Sequence, residues 1–280
     1  MKTDVFAKIL TSLALLSLAL PVWSQKLDGN LTQGGLVIGK VDPTTSVSFQ
    51  GKALRVSPVG IFVVGFDRDA PLENVLKLCY ANGKVEHRTI TLTRRTYDIE
   101  RIDGLPSNLV DPKPQDLERI NGEIAMVKRA RQRDDPRTDF TQGFIWPVKG
   151  KITGVYGSQR ILNDKPRRPH YGVDISTPIG TPVKAPADGV VSLLHPDMFF
   201  SGGTLIIDHG HGLSSSFLHL KKILVREGQG VKQGEVIAQV GATGRVTGAH
   251  LDWRMNWFDK RIDPTLLVPL MSGKREAHVK

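Results

Sequence analysis

The 280-residue chain carries a formal net charge of +10, 40% hydrophobic residues and a single cysteine. That length holds two modest domains, each with its own core, while the lone Cys79 excludes an intramolecular disulfide and a thiolate zinc cluster. The basic balance predicts attraction to polyanions, but no zinc finger, aromatic stacking motif or concentrated basic helix points to nucleic acid.

Lys2 and Lys8 stand ahead of and beside an apolar run from Ile9 to Leu20, and Pro21-Val-Trp-Ser24 offers small or permissive residues where a signal peptidase reads. The run is too short to span a bilayer. Residues 1–24 are therefore expected to be a cleaved signal peptide, with no cysteine behind them to carry a lipid anchor and no integral membrane segment after them. A basic exported chain suits the anionic bacterial envelope, either in the periplasm or secreted to the cell envelope.

From Gln25 to residue 106, short apolar runs alternate with Gly, Pro, Asn and Asp. Gly35–Gly39, Val56–Phe66, Lys84–Leu92 and Thr96–Ile102 read as strands. Asn82-Gly83 signals a type I′ hairpin between the strand near Leu76 and that at Val85. A small β-sandwich-like domain is expected, with Cys79 a buried small hydrophobe in Leu76-Lys-Leu-Cys-Tyr80. Residues 107–143 form a connector: a proline-punctuated linker, then one amphipathic helix over Gln115–Arg133 with Leu117, Ile120, Ile124 and Val127 at helical spacing. Its basic end (Lys128, Arg129, Arg131, Arg133) complements the helix dipole.

Residues 144–270 return to strands and tight turns, including Thr204–Asp208, Ser216–Leu220 and Glu235–Val240. The expected fold is mainly β: an N-terminal β-sandwich-like domain, a helical connector and a C-terminal antiparallel β domain. The polar tail, residues 271–280, is expected to be disordered.

Six of the eight histidines lie between His170 and His250, in contexts such as His170-Tyr-Gly-Val-Asp174, Leu218-His219-Leu220 and His250-Leu-Asp252. Imidazole nitrogens and carboxylate oxygens are ligands that Zn²⁺ accepts, and a catalytic site needs three with a position left for water. Two-residue periodicity sets His219 opposite Leu218 and Leu220, and puts His250 and Asp252 on one face with Trp253 pointing away. His209 and His211 lie in Asp208-His-Gly-His-Gly212, which reads as a turn. His87, His195 and His278 have no patterned neighbours.

Gly154-Val-Tyr-Gly-Ser-Gln-Arg160, His170-Tyr-Gly-Val-Asp174, Gly180-Thr-Pro-Val-Lys-Ala-Pro-Ala-Asp-Gly189, Phe217-Leu-His219-Leu, Gly241-Ala-Thr-Gly244 and Thr247-Gly-Ala-His250-Leu-Asp252-Trp occur in one order. Together they resemble the lysostaphin-type zinc metallopeptidases, which cut peptide cross-links in peptidoglycan. Tyr97-Asp-Ile-Glu-Arg-Ile-Asp-Gly-Leu-Pro106 resembles the β-domain that precedes the peptidase in Gram-negative members. The resemblance implies a metalloendopeptidase with His170 and Asp174 as metal ligands, His219 and His250 as the unligated catalytic histidines, and Arg160 on the substrate side. The family's last motif is His-x-His, and here the third ligand position is Asp252. A His/Asp/Asp set cancels the +2 charge of zinc and would acidify bound water less; Mn²⁺ also suits such a set.

Two other readings stand beside this one. A protein of the same fold could bind murein, or switch on another wall enzyme, without hydrolysis. Gly180–Val190 with Val225–Ala238 also resembles the hairpins of biotinyl and lipoyl carriers, although no lysine occupies a carrier's hairpin tip.

Overall fold

The computed structural model describes residues 27–104 and 111–271; the expected signal peptide, part of the linker and all but the first residue of the expected tail lie outside the described residues. In the N-terminal part, Glu73–Cys79 buries Asn74, Leu76 and Leu78 and exposes the residues between them, the period-two pattern of a strand with one wet face. It lies in a four-stranded sheet ordered Lys52–Leu54, Ser46–Phe49, Glu73–Cys79, Val85–Thr91, opposite a three-stranded sheet of Leu27–Gly29, Leu36–Lys40 and Ile61–Gly65. Cys79 is only partly buried, at the strand's end.

Two local expectations are corrected. The strand expected over Val56–Phe66 begins only at Ile61, because Ser57-Pro58-Val59-Gly60 is a turn. Gly60 adopts φ +84° and donates to the Ser57 carbonyl at 2.8 Å. The Asn82-Gly83 hairpin forms, but Gly83 alone takes a positive φ (+82°) and donates to the Tyr80 carbonyl at 2.9 Å. That is a type I turn closed by a left-handed glycine, not a type I′ turn.

The C-terminal part is built on a ten-stranded antiparallel sheet. Its central run is Gly189–Met198, Gly202–Asp208, Leu213–Ile223, His250–Trp257, Val173–Ser176, Lys151–Gly154. One face presents Val173, Ile175, Phe217, Leu251, Trp253 and Met255, all fully buried. This core is continuous with that of the N-terminal sheets. Phe49 meets Trp257 with ring centroids 6.1 Å apart, Arg261 N donates to Asp67 Oδ1 at 2.7 Å, and buried Asp263 pairs with Arg95 at 2.8 Å. The strand Ile99–Ile102 leaves the N-terminal sheets altogether and pairs in parallel with Gln159–Leu162, setting Glu100 opposite Arg160.

The connector helix spans Leu117–Arg131 after a short 3₁₀ turn. Its buried face is rotated from the expected stripe: Ile120, Glu123, Val127 and Ala130 face inward, whereas Leu117 and Ile124 are exposed. Glu123 has an inward task, accepting from Arg119 Nε and from the Phe199 backbone N–H, both at 2.8 Å. Ala130 and Val127 pack on Leu193, Met198 and Ile206 of the large sheet.

Two outcomes are expected from this packing. A Cβ on Gly65 would stand 2.7 Å from Ile262 Cδ1 and 2.8 Å from Trp257 Cβ, so Gly65→Val should cost about 1–3 kcal/mol by overpacking the shared core, read as a lowered midpoint in denaturant. His209 is buried, with Nδ1–H donating to the Asp188 carbonyl and Nε2 accepting from Ser215 Oγ, both at 2.6 Å. Burial holds its pKa down to about 4. The unfolded chain therefore takes up this proton first, and stability should fall as pH drops from about 6.5 to about 4, by at most about 3 kcal/mol from this group. His209→Asn should remove that slope in pH-dependent unfolding.

Candidate functional site

Strand pairing brings the sequence-distant motifs together. Asp174 and Asp252 are direct cross-strand partners, and Leu218 is the partner of Asp252 on its other side. His170, one turn of chain before Asp174, is anchored through its main chain: its carbonyl accepts from Gly157 N at 2.7 Å and its own N–H donates to Ser158 O at 2.9 Å. One ligand atom each from His170, Asp174 and Asp252 lies within 4.8 Å of the others, and all three residues are buried. Two glycines give the carboxylates their room. A Cβ on Gly154 would run into Asp174 Oδ2, and one on Gly172 would stand 2.6 Å from Asp252 Oδ1.

These donors fit a divalent ion. His170 Nε2 lies 3.1 Å from Asp174 Oδ1 and 3.6 Å from Asp252 Oδ1. Metal–ligand bonds of about 2.1 Å in a tetrahedron put neighbouring ligand atoms about 3.4 Å apart. His170 Nε2 and Asp174 Oδ1 are nevertheless buried without a hydrogen-bond partner, so they aim at a shared point and not at each other. Burial opposes a charge on His170, but the two carboxylates outweigh it and raise its pKa.

His219 reaches this site by a route that regular alternation does not provide. Leu218 sits opposite Asp252, so an unbroken strand would send His219 to the far, core-facing side. Instead His219 adopts φ +64°, its N–H leaves the ladder to donate to Ser201 O at 2.8 Å, and the ring swings to the site, 4.9 Å between centroids from His250. Such a left-handed non-glycine backbone is costly and is held by its surroundings. Here Thr243 does the holding: its carbonyl accepts from His219 Nδ1–H at 2.8 Å, and its hydroxyl bridges Gly203 N and Leu220 O. Because a carbonyl can only accept, the neutral imidazole carries its proton on Nδ1 and leaves Nε2 free. Burial depresses the pKa of His219 to about 4. His250 is held in the same way, Nδ1–H to Gly248 O at 2.9 Å, with Nε2 facing Asp174 Oδ1 at 3.8 Å.

The two carboxylates are each met by an arginine. Arg160, expected on the substrate side, turns its Nη2 to Asp174 Oδ2 at 2.6 Å and its Nε to Glu100 at 3.2 Å. Arg254, which the sequence reading left without a role, forks onto Asp252: Nε to Oδ1 at 2.9 Å and Nη2 to Oδ2 at 2.5 Å. Burial pushes the Asp252 carboxyl up, but Arg254 and His170 outweigh it and hold it well below the usual carboxylate range. Asp174 is likewise lowered against its burial, by His170 and Arg160. A signal for Arg254 was present: Asp252-x-Arg254 on one strand puts both side chains on one face. Thr243, Gly154 and Gly172 act through backbone geometry that no residue type announces.

Fold and site together define a mainly β hydrolase-like domain with a candidate metal centre. Residues 168–264 match the model of peptidase family M23. A crystal structure of a candidate M23 peptidase from Pseudomonas aeruginosa is 32% identical, covers 85% of this chain and 94% of its own, and superposes with a TM-score of 0.67. The chain belongs to peptidase family M23. Among curated relatives, the peptidoglycan DD-endopeptidase ShyB of Vibrio cholerae is 33% identical over 65% of this chain and 38% of its own length. The peptidoglycan DD-endopeptidase ShyA of the same organism is 46% identical over 39% of this chain and 26% of its own. The matches thus span well under half of those relatives.

Removing Arg254 should expose how much the buried pair needs it. Arg254→Met, assayed in chelator, is expected to lose about 3–5 kcal/mol because Asp252 is left buried and uncompensated. Arg254→Lys should recover only part of this, since an ammonium cannot reproduce the fork. Urea unfolding provides the measurement, and an unchanged midpoint would reject the pairing.

Proposed function

We propose that this chain is an exported metalloendopeptidase that hydrolyses peptide cross-links of peptidoglycan in the bacterial cell envelope. The observation that carries the reading is the convergence of buried, unpartnered His170 and Asp174 atoms with Asp252, beside two imidazoles whose Nε2 atoms are free. His170, Asp174 and Asp252 would hold the metal, zinc by preference and manganese as the harder alternative. A bound zinc ion would polarise the scissile carbonyl and acidify a water.

His219, kept neutral by burial, takes the proton from the attacking water on Nε2 and delivers it to the leaving amine. His250, whose side chain is partly exposed beside Asp174, is read as the group that steadies the oxyanion. Arg160 holds Asp174 in place and Arg254 holds Asp252. The loss of Lewis acidity expected from a second carboxylate is thereby offset, because two guanidiniums neutralise the two carboxylates. Residues 144–270 are read as the peptidase, residues 25–106 as a domain that walls its substrate side, and residues 107–143 as their connector. Export would follow from the leader, with a processed N-terminus near Gln25. No helix among the described residues is long and apolar enough to cross a membrane.

One observation favours a second reading. Arg254 engages both oxygens of Asp252, which satisfies that carboxylate without a metal and suits a murein-binding or hydrolase-activating protein that does not cleave. Metal content by mass spectrometry and digestion of purified murein separate the two. Asp252→Ala is expected to lose metal and turnover together, Asp252→His to retain metal, and His250→Ala to retain metal while turnover falls about 10²–10⁴-fold. Full metal in Asp252→Ala rejects the ligand role; an unmodified chain that binds metal and leaves murein intact establishes the second reading.

A further inference from the structure

The polar face that carries Asp252 continues past it. Arg254 and Asn256 follow at two-residue steps, and Arg261 on the strand Lys260–Ile262 is the cross-strand partner of Asn256. From the helix, Arg131 reaches over the same face to donate to Ser216 Oγ at 3.1 Å, and Ser216 is the cross-strand partner of Arg254. Three guanidiniums thus lie along one stretch of sheet, and the carboxylate set among them, Asp252, is already taken by Arg254. Arg131 Nε and Arg261 Nη1 are both enclosed without a hydrogen-bond partner among the described residues. A buried donor left unpaired costs about 1–3 kcal/mol, more when charged.

Arg261 is also where this face opens into a cleft. The cleft encloses about 540 Å³ between the edge of the N-terminal sheets, at Phe66–Pro71, and the peptidase segment, at Tyr171 and Asp259–Arg261. The Arg261 guanidinium lies 5.4 Å from the Tyr171 ring centre. Of the four cations lining the cleft, Arg68 pairs with Asp69 and Lys260 with Asp67. The guanidiniums of Arg168 and Arg261 form no ion pair with a carboxylate among the described residues, although the Arg261 backbone N–H donates to Asp67 Oδ1 at 2.7 Å. Asp259, exposed at the rim, pairs with neither. Burial above all, with repulsion from Arg254 and Arg168, lowers the pKa of Arg261 to about 10 against the opposing pull of Tyr171 and Asp67.

We propose that this cleft is a carboxylate subsite, in which Arg261 and Arg168 hold the free carboxylate of a murein peptide stem against Tyr171. This rests on the peptidase reading above and names which part of the substrate the site grips. Tyr171 is the residue after His170, so its Cα lies within about 3.8 Å of that of a candidate metal ligand. A group held there is close enough to fix the register of a cross-link amide at the reacting point. Arginine suits the task because its planar fork matches a carboxylate bidentately. Cleft-lining guanidiniums with no carboxylate of their own also discriminate against a ligand that lacks the matching acceptor charge.

The test uses the full chain in chelator, so that nothing is cleaved, and two probes: a synthetic murein tetrapeptide with a free C-terminal carboxylate, and the same peptide as its C-terminal amide. Titration calorimetry is expected to show the acid bound about tenfold tighter than the amide. Arg261→Gln should abolish that preference, Arg168→Gln reduce it, and Arg261→Lys retain part of it. Arg168 is exposed, so its variant tests the subsite even if Arg261→Gln fails to fold. Equal affinity of the unmodified chain for acid and amide, no binding of either, or a preference that survives both Gln variants overturns the proposal. Because no turnover is read, a chain that prefers the acid yet never digests murein rejects only the peptidase reading. A chain that digests murein with no such preference rejects only the subsite.

Discussion

Two carboxylates placed side by side in a protein interior set the terms for everything around them. Asp174 and Asp252 are direct cross-strand neighbours, both buried. At an effective dielectric of about 20, two like charges about 4 Å apart repel by about 4 kcal/mol before any cost of leaving water. The surrounding chain answers that term residue by residue. Arg160 meets one carboxylate and Arg254 the other, His170 stands between them, and Gly154 and Gly172 leave the space in which the oxygens sit. The lowered carboxyl pKa values and the raised one of His170 are consequences of this arrangement.

The same constraint explains why the N-terminal part is not a detachable appendage. Arg160 is held from behind by Glu100, on a strand that arrives from the N-terminal side to pair with Gln159–Leu162. Arg261 takes its backbone partner from Asp67, and the two hydrophobic cores merge at Phe49, Gly65, Trp257 and Ile262. The charges that balance the site are therefore positioned by a fold larger than the sheet that carries it. The cleft at Arg261 is lined by both parts of the chain.

How much of this was legible follows from which interactions are local. The strands of the large sheet, the hairpin at Asn82-Gly83 and the pairing of His250 with Asp252 on one face are written in periods of two and in turn residues, which act over a few positions. His170 and Asp174 were legible through motif context. The inward face of the helix was not, because Glu123 is pulled in by Arg119 and by the Phe199 backbone, 76 residues away in sequence. The motif singled out Arg160 for the substrate side, but its turn towards Asp174 goes with Glu100, set beside it by a parallel strand pairing.

His219 is the most instructive case. Alternation put it opposite Leu218, and that much is true of a regular strand; yet Leu218 is itself on the side of Asp252, so the same alternation would have carried the imidazole away from the site. The bulge at φ +64° reverses the outcome. Its determinants are Ser201, Gly203 and Thr243, 18, 16 and 24 residues away in sequence, whose backbone and hydroxyl groups capture the displaced ladder. A strained backbone persists only where its surroundings over-determine it, and here those surroundings are the Gly241-Ala-Thr-Gly244 loop. That motif, which carries no titratable side chain, does its chemistry at second hand: it fixes the His219 tautomer and leaves Nε2 as the free, uncharged acceptor beside the two carboxylates.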